Sequence, residues 1–310
     1  MNALHALQDT ALRYFHAVVQ TGSVSAAAAR LHVAASAISR QINGLEARLG
    51  QPLFERHARG MVPTAAGDIL AQLASRMHAD AAQALEAIEA LDGLRAGLVR
   101  VATSDVFAND LVPRVCALFR QQHPGVRFAV TQIGTAHVPQ QVLSGHADIG
   151  LCFSMAPVKG ICVNHRQRAP VLAVMAPGHP LSAARRPRLA DLAAHRLALP
   201  PPETAIRQMI DLACSRQGLL LEPVLTSNHA QTLLDFVRHD GGATFASEVG
   251  VRHMLATGAL LARPLADEGM DGRDIQVQTL AGRQLPVAVQ AFLSLLIAQL
   301  AQLAHLPALA

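Results

Sequence analysis

Apolar residues recur at helical spacing through the first third of the chain, then give way to short apolar runs alternating with further helical patterns. Asp9 or Thr10 can cap a first helix reaching Val19, with Leu12, Phe15, Val18 and Val19 turned inward and Gly22 ending it. A second helix opens at Ser23, whose hydroxyl is placed to accept from a free N–H, and carries Val24, Ala27, Ala28 and Leu31 on one side. A third starts near Ala34. Ile38, Ile42, Leu45 and Leu49 form its apolar stripe, Ser36, Ser39, Arg40 and Asn43 occupy the opposite face, and Gly50 ends it. Small residues let the second helix approach the third closely, so residues 23–42 predict a helix-turn-helix. Its second helix would offer hydroxyls and a guanidinium to a DNA major groove. An ordinary helical hairpin with a solvated face fits the same pair.

Residues 51–63 predict a short hairpin or wing, with Leu53 and Phe54 plugging the core and Arg56, His57 and Arg59 pointing out. Phosphate contact suits Arg56 and Arg59; a plain solvated turn is the alternative. Thr64 can cap a long helix to about Leu94, striped by Leu70, Leu73, Met77, Ala81, Ala84, Leu85, Ile88 and Leu91. About 30 residues rising 1.5 Å each span roughly 45 Å, longer than one small domain is wide. Such a seam needs a partner, and the same helix of a second chain is the simplest one. Gly93, Arg95 and Gly97 then mark a hinge.

Beyond the hinge, strands at 98–102, 127–132 and 148–153 alternate with helices at 107–121 and 137–144. This β-α-β-α-β order implies parallel strands with right-handed crossovers. A second set follows: strands at 171–176, 196–199, about 224–225 and 243–246, with helices at 204–216, 230–239 and 248–255. Strands at 259–264 and 275–280 return, and a helix at 285–303 closes the chain. The fold class is α/β: a winged helix-turn-helix at 1–63, a linker helix at 64–96 and a two-lobed domain at 97–310. Its first lobe takes about 97–165 and 266–310, its second about 166–265, with a hinged cleft between them.

Composition sharpens this outline. Of 310 residues, 51% are hydrophobic and 15% charged, which excludes a disordered chain. Aromatics are scarce at 3%, so stacking on single-stranded bases is not expected. The net charge of +4 is concentrated early: Arg13, Arg30, Arg40, Arg48, Arg56 and Arg59 face only Asp9, Glu46 and Glu55. That suits a small DNA-binding head on a near-neutral body. No basic start followed by an apolar core suggests a signal peptide, and the run from Phe292 to Leu306 is too polar to span a membrane. The cytosol is the expected compartment, without membrane attachment.

The residues at fixed spacing around the helix-turn-helix carry a resemblance. Ala26-Ala27 and Leu31, Ile38-Ser39-Arg40-Gln41-Ile42, Leu45-Glu46, Leu49-Gly50, Pro52-Leu53-Phe54-Glu55-Arg56, Arg59-Gly60 and Thr64-Ala65-Ala66-Gly67 resemble the N-terminal domain of LysR-type transcriptional regulators. The match runs without a gap from about Leu12 to Leu70. It departs at Ala34-Ala35-Ser36, where the family usually has Ser-Gln-Pro or Ser-Gln-Ser, so a hydroxyl and an amide are missing at the start of the reading helix. The two-lobed remainder resembles the family's effector domain and periplasmic solute-binding proteins, weakly beyond Leu260.

The resemblance implies a homodimer or homotetramer that reads an interrupted inverted repeat in double-stranded DNA, contacts RNA polymerase and responds to a small organic effector. The expected DNA-binding residues are Ser23, Ser36, Ser39, Arg40, Gln41, Asn43, Arg56 and Arg59. In α/β sheets small ligands bind beyond the carboxyl ends of strands, where the chain repeatedly places hydroxyls. Thr103, Ser104, Thr135, Ser154, Glu203, Thr204, Ser227 and Asn228 are the expected effector contacts, Ser247 stands at another strand end, and Phe107, Phe153 and Phe245 are candidate apolar walls. Each polar residue taken singly could instead be a helix cap. Ser104 and Thr135 match family positions that often hold a ligand carboxylate. No Arg or Lys is expected on the rim, and Glu203 hints at a cationic or amide group.

No cofactor and no metal are expected, because the 15 His are dispersed and no nucleophile–base pair, phosphate loop or cofactor lysine appears. An enzyme is therefore disfavoured, and an exported solute receptor fits poorly with a basic head. Cys152 and Cys162 could form a redox pair, as in peroxide-sensing members of the family; those members keep their pair elsewhere, so buried structural thiols are the expectation for all four cysteines.

Overall fold

The computed structural model describes residues 9–57, 60–89, 97–154 and 156–304. The head is a three-helix unit with a wing. Helix α1 (Thr10–Thr21) starts where Asp9 Oδ1 accepts from the N–H groups of Ala11 and Leu12, at 2.9 and 3.1 Å, and stops at left-handed Gly22. Helix α2 (Val24–Leu31) is capped by Ser23 Oγ, which accepts from Ala26 N–H at 3.4 Å. The corner to α3 (Ala35–Leu49) passes through His32 in the left-handed region, φ 55°. Phe15, Val18, Ala27, Ile38, Ile42 and Leu53 close the core. Leu49 is 53% exposed, so the buried stripe of α3 stops at Leu45, one turn before the helix does.

The wing is the antiparallel pair β1 (Phe54–His57) and β2 (Gly60–Pro63), with Phe54 stacked 5.1 Å from Phe15. Helix α4 (Ala65–Glu89) leaves it through Thr64, whose hydroxyl donates to the Pro52 carbonyl at 2.7 Å and accepts from Gly67 N–H at 3.0 Å. Gly67 is required there, because a Cβ would run into the Leu53 carbonyl oxygen. The expected end of this helix near Leu94, with Leu91, Gly93 and Arg95, falls outside the described residues. Ile69, Leu73, Met77 and Ile88 are 72, 42, 40 and 60% exposed, so α4 carries an apolar seam that the described residues leave uncovered.

The larger domain opens with β3 (Gly97–Thr103), α5 (Asp105–Ala108), α6 (Leu111–Gln122), β4 (Val126–Gln132), a short 3-10 turn (Thr135–His137), α7 (Val138–Leu143), β5 (Ile149–Ser154) and β6 (Ile161–Arg168). The helix expected over 107–121 is thus two, broken at Asn109 and Asp110. The chain then crosses to β7 (Leu172–Met175), α8 (Leu189–Ala193), β8 (Leu197–Leu199), α9 (Ala205–Ser215), β9 (Pro223–Thr226), α10 (Ala230–Arg238), β10 (Ala243–Ala246), α11 (Glu248–Ala256) and β11 (Leu261–Pro264). It returns through β12 (Asp274–Leu280) and ends in α12 (Val287–Ala304).

Two five-stranded sheets result, ordered β4-β3-β5-β12-β6 in lobe I and β11-β7-β10-β8-β9 in lobe II. The strands β4, β3 and β5 are parallel, as the crossover pattern implies, and β12 runs antiparallel to β5 and β6. Strand β6 carries lobe I on to Arg168, past the expected limit at 165, so the two crossings are residues 169–171 and 265–273. Each lobe has its own core, one around Val101, Phe107, Ile149 and Phe292, the other around Met175, Leu192, Leu197 and Ile210.

Lobe I also touches the linker helix. A Cβ on Gly145, φ 76°, would come within 2.8 Å of Ala79 Cβ on α4. Beside it, Arg283, its side chain 7% exposed, reaches Asp80 of α4 at 3.4 Å and Asp148 of lobe I at 3.5 Å. Asp148, 2% exposed, also accepts from Arg100 N–H at 3.0 Å. The cysteines depart from expectation in one respect. Cys152 and Cys214 are buried and Cys116 is half-buried, but Cys162 is exposed. Cys152 and Cys162 lie on β5 and β6 with β12 between them, and two strand spacings amount to about 9.5 Å, too far for a disulfide. Burial pushes the Cys152 thiol up to about 12, which removes the thiolate that redox chemistry needs.

Candidate functional site

The molecule offers two surfaces with chemistry to explain. On the head, burying Ile38, Ile42 and Leu45 turns Ser36, Arg40, Gln41 and Asn43 of α3 to solvent, while Ser39 is half-buried. Ala34 makes no side-chain cap, so the first N–H groups of α3 have no partner from that side chain. Ser23 caps α2 as its position predicts, so its hydroxyl is spent there and the residue is half-buried. Arg56 lies on β1 with its side chain outside the described set, and Arg59 lies outside the described residues. Arg30 and Arg48 are exposed on α2 and α3 and extend the basic face beyond the residues expected from sequence.

The second surface is a cavity of about 830 Å³ between the lobes. Nine expected residues border it: Ser104, Thr135, Phe153, Ser154, Glu203, Thr204, Ser227, Asn228 and Phe245. Thr103 does not. It is fully buried at the end of β3 and donates to the Leu151 carbonyl at 3.0 Å, so its hydroxyl closes the sheet. Thr135 is half-buried, and the remaining hydroxyls divide into two kinds. Ser154 donates to the Ala156 carbonyl at 2.9 Å, Thr204 to the Pro201 carbonyl at 2.8 Å, and Ser227 accepts from His229 N–H at 3.1 Å. Ser104 and Ser247, each 3% exposed at the starts of α5 and α11, cap nothing and have no protein partner. The helix-cap reading fails at Thr204, Ser104 and Ser247 alike: Thr204 precedes α9 but spends its hydroxyl on Pro201, and the two serines bond nothing among the described residues.

The cavity also holds a residue that sequence reading missed. Arg273, 4% exposed, ends the second crossing and borders the cleft, against the expectation that no cation stands there. Its Nε–H donates to the Ala169 carbonyl of the first crossing at 3.2 Å, and its guanidinium lies 4.2 Å over the Phe153 ring. Burial pulls its pKa down to about 10, still well above neutrality, so it stays charged. No sequence signal marks it, because its place depends on β12 pairing with β5, where Asp274 faces Ser154. Across the cleft mouth, Asp105 Oδ2 of lobe I accepts from Ala230 N–H of lobe II at 2.8 Å. Among the described residues no cluster of three or more His, Cys, Asp or Glu could hold a metal ion.

These two surfaces map onto known families. Residues 10–68 match the bacterial regulatory helix-turn-helix protein, lysR family, and residues 92–301 match the LysR substrate binding domain. A probable RuBisCO transcriptional regulator of Cyanidioschyzon merolae is 28% identical over 76% of this chain and 80% of its own. The RuBisCO operon transcriptional regulator of Allochromatium vinosum is 26% identical over 94% of this chain and 96% of its own. Full-length OxyR from Pseudomonas aeruginosa shares the fold, with a TM-score of 0.68 at 19% identity over 93% of both chains.

Proposed function

Because the chain belongs to the LysR family of DNA-binding transcriptional regulators, we propose that α3 reads the operator through Ser36, Ser39, Arg40, Gln41 and Asn43, while a small organic effector in the inter-lobe cavity sets the output. The observation that carries this reading is the pairing of an exposed polar face on α3 with a separate, residue-lined cleft in the same chain. Arg40 is exposed on the second helix of the motif, where a side chain can reach a base edge. Arg56 and Arg59 suit the flanking phosphates.

The uncovered seam of Ile69, Leu73, Met77 and Ile88 suits pairing of α4 with its copy in a second chain. Two heads carried by such a pair would match two half-sites of an inverted repeat. The effector then has to bind two arrangements of the assembly with different affinity; binding alone shifts nothing. RNA polymerase is the natural recipient of that change. Among the described residues no helix is long and apolar enough to cross a membrane.

The test is Arg40→Ala. It weakens operator binding by about 1–3 kcal/mol if the guanidinium meets a base edge, measured by fluorescence anisotropy at fixed salt. Full operator affinity in that variant removes α3 from the groove.

A further inference from the structure

We propose that Arg273 sets the charge selectivity of the inter-lobe cleft, and that the effector is therefore a small organic acid whose anionic group lies against this guanidinium. The inference rests on the cleft being the effector site. Its first support is electrostatic. A cation that is 4% exposed costs several kcal/mol unless an opposite charge answers it, and among the described residues no carboxylate lies within ion-pair distance of Arg273. Of the acids nearby in sequence, Glu268 and Asp271 are exposed and two are engaged elsewhere. Asp274 faces Arg166 and Arg168 at 3.6 and 3.8 Å, and Asp267 accepts from Leu189 N–H and from the Gln217 amide.

The second support is geometric. Arg273 is held by its Nε–H bond to Ala169 and by the Phe153 face, which together fix the plane of the guanidinium without using its terminal nitrogens. A fork held this way is pre-organised for a planar acid group. The third support comes from the opposite sides of the cavity. Ser104 of lobe I and Ser247 of lobe II each present a buried hydroxyl with no protein partner. A hydroxyl can donate to an anion, and these two border the same space as Arg273. Asp105 does not compete for that role, because its two oxygens accept from Val106 N–H and Ala230 N–H. Glu203 is exposed on the lobe II side of the cleft, so the acid is read by Arg273 and not at Glu203.

The experiment is a thermal-shift titration of the full chain at constant ionic strength, with chloride as the reference anion. The probes are benzoate, succinate, 3-phosphoglycerate and inorganic phosphate, against the neutral amides benzamide and succinamide. At least one acid is expected to raise the Tm above chloride while its amide does not. Arg273→Gln should weaken that acid at least about tenfold, as loss of a charge-assisted hydrogen bond does. Arg273→Lys should recover part of the loss, and Ser247→Ala should cost a few-fold. No acid effect beyond chloride, equal effects of acid and amide, or an unchanged titration in Arg273→Gln each overturn the proposal. If Arg273→Gln does not fold, unchanged acid titrations in both Arg273→Lys and Ser247→Ala overturn it. A neutral probe whose effect survives Arg273→Gln but is lost in Thr135→Val sinks the acid and leaves the cleft as the effector site. An acid effect that survives both Arg273→Gln and Thr135→Val sinks the cleft reading as well.

Discussion

Ser23 and Ser104 both stand at the start of a short helix, and they do opposite things. In the head, Asp9, Ser23 and Thr64 all turn back and spend their oxygens on the first N–H groups of their helices. In the cleft, Ser104 and Ser247 hold the same sequence position relative to α5 and α11, yet among the described residues their buried hydroxyls have no hydrogen-bond partner. In the head these three caps are closed, and only α3 opens without one, at Ala34. The cleft keeps donors open in a buried place, which costs stability unless something fills it. A hydroxyl before a helix is thus a cap in the head, and in the cleft it is spent on a carbonyl, as at Thr204, or left unbonded, as at Ser104 and Ser247.

Three substitutions and a pH series test that contrast. Gly67→Val should have the largest effect, lowering stability by about 3 kcal/mol and abolishing operator binding, because the added carbons meet the Leu53 carbonyl and Pro63. Chemical denaturation of the full chain with an operator-binding assay measures both. Thr64→Ala should cost about 1–2 kcal/mol by losing the cap and the Pro52 bond. Ser104→Ala, by contrast, should leave unliganded stability within about 0.5 kcal/mol, since no bond is lost. Equal losses in these two would erase the distinction between cap and open donor.

A further effect is confined to acid. His16 of α1 hydrogen-bonds Ser75 of α4 at 3.2 Å and faces the His78 ring at 5.3 Å. Burial pulls its pKa down to about 4, helped by His78, His146 and Arg30, with Asp9 and Arg13 alongside. The unfolded chain therefore takes up this proton first, near pH 6.5, and the folded chain only near 4. Stability from this group is complete above pH 6.5 and is lost as pH falls through that window. His16→Gln should flatten the decline of Tm between pH 6.5 and 4, and an unchanged slope would clear His16 of any part in it.

How far the sequence speaks depends on how local each signal is. The head was legible because its stripes, caps and glycines all act within a few residues, as at Asp9, Ser23 and Gly50. Strand β6 was missed because only Ile161 and Val163 of its inward positions are apolar; His165 and Gln167 continue the alternation with polar side chains. Helix α8 is too short at five residues to show a period. In the cleft, strand-end hydroxyls announced themselves, since a strand end is read from one stretch of chain. Whether a hydroxyl is spent or open was not legible, because Thr103 is claimed by Leu151 from a different strand. Arg273 lay further still from view, brought to Phe153 only when the last strand of lobe I inserts between β5 and β6.

The seat of Gly145 on α4, with Arg283 spanning Asp80 and Asp148, has a mechanical consequence. It joins lobe I to the stem that carries the helix-turn-helix, while lobe II meets lobe I through the two crossings, the Asp105 bond to Ala230 and the Arg252 bond to the Leu303 carbonyl at 2.9 Å. When the jaws open or shut with this seat intact, lobe II is the part that travels.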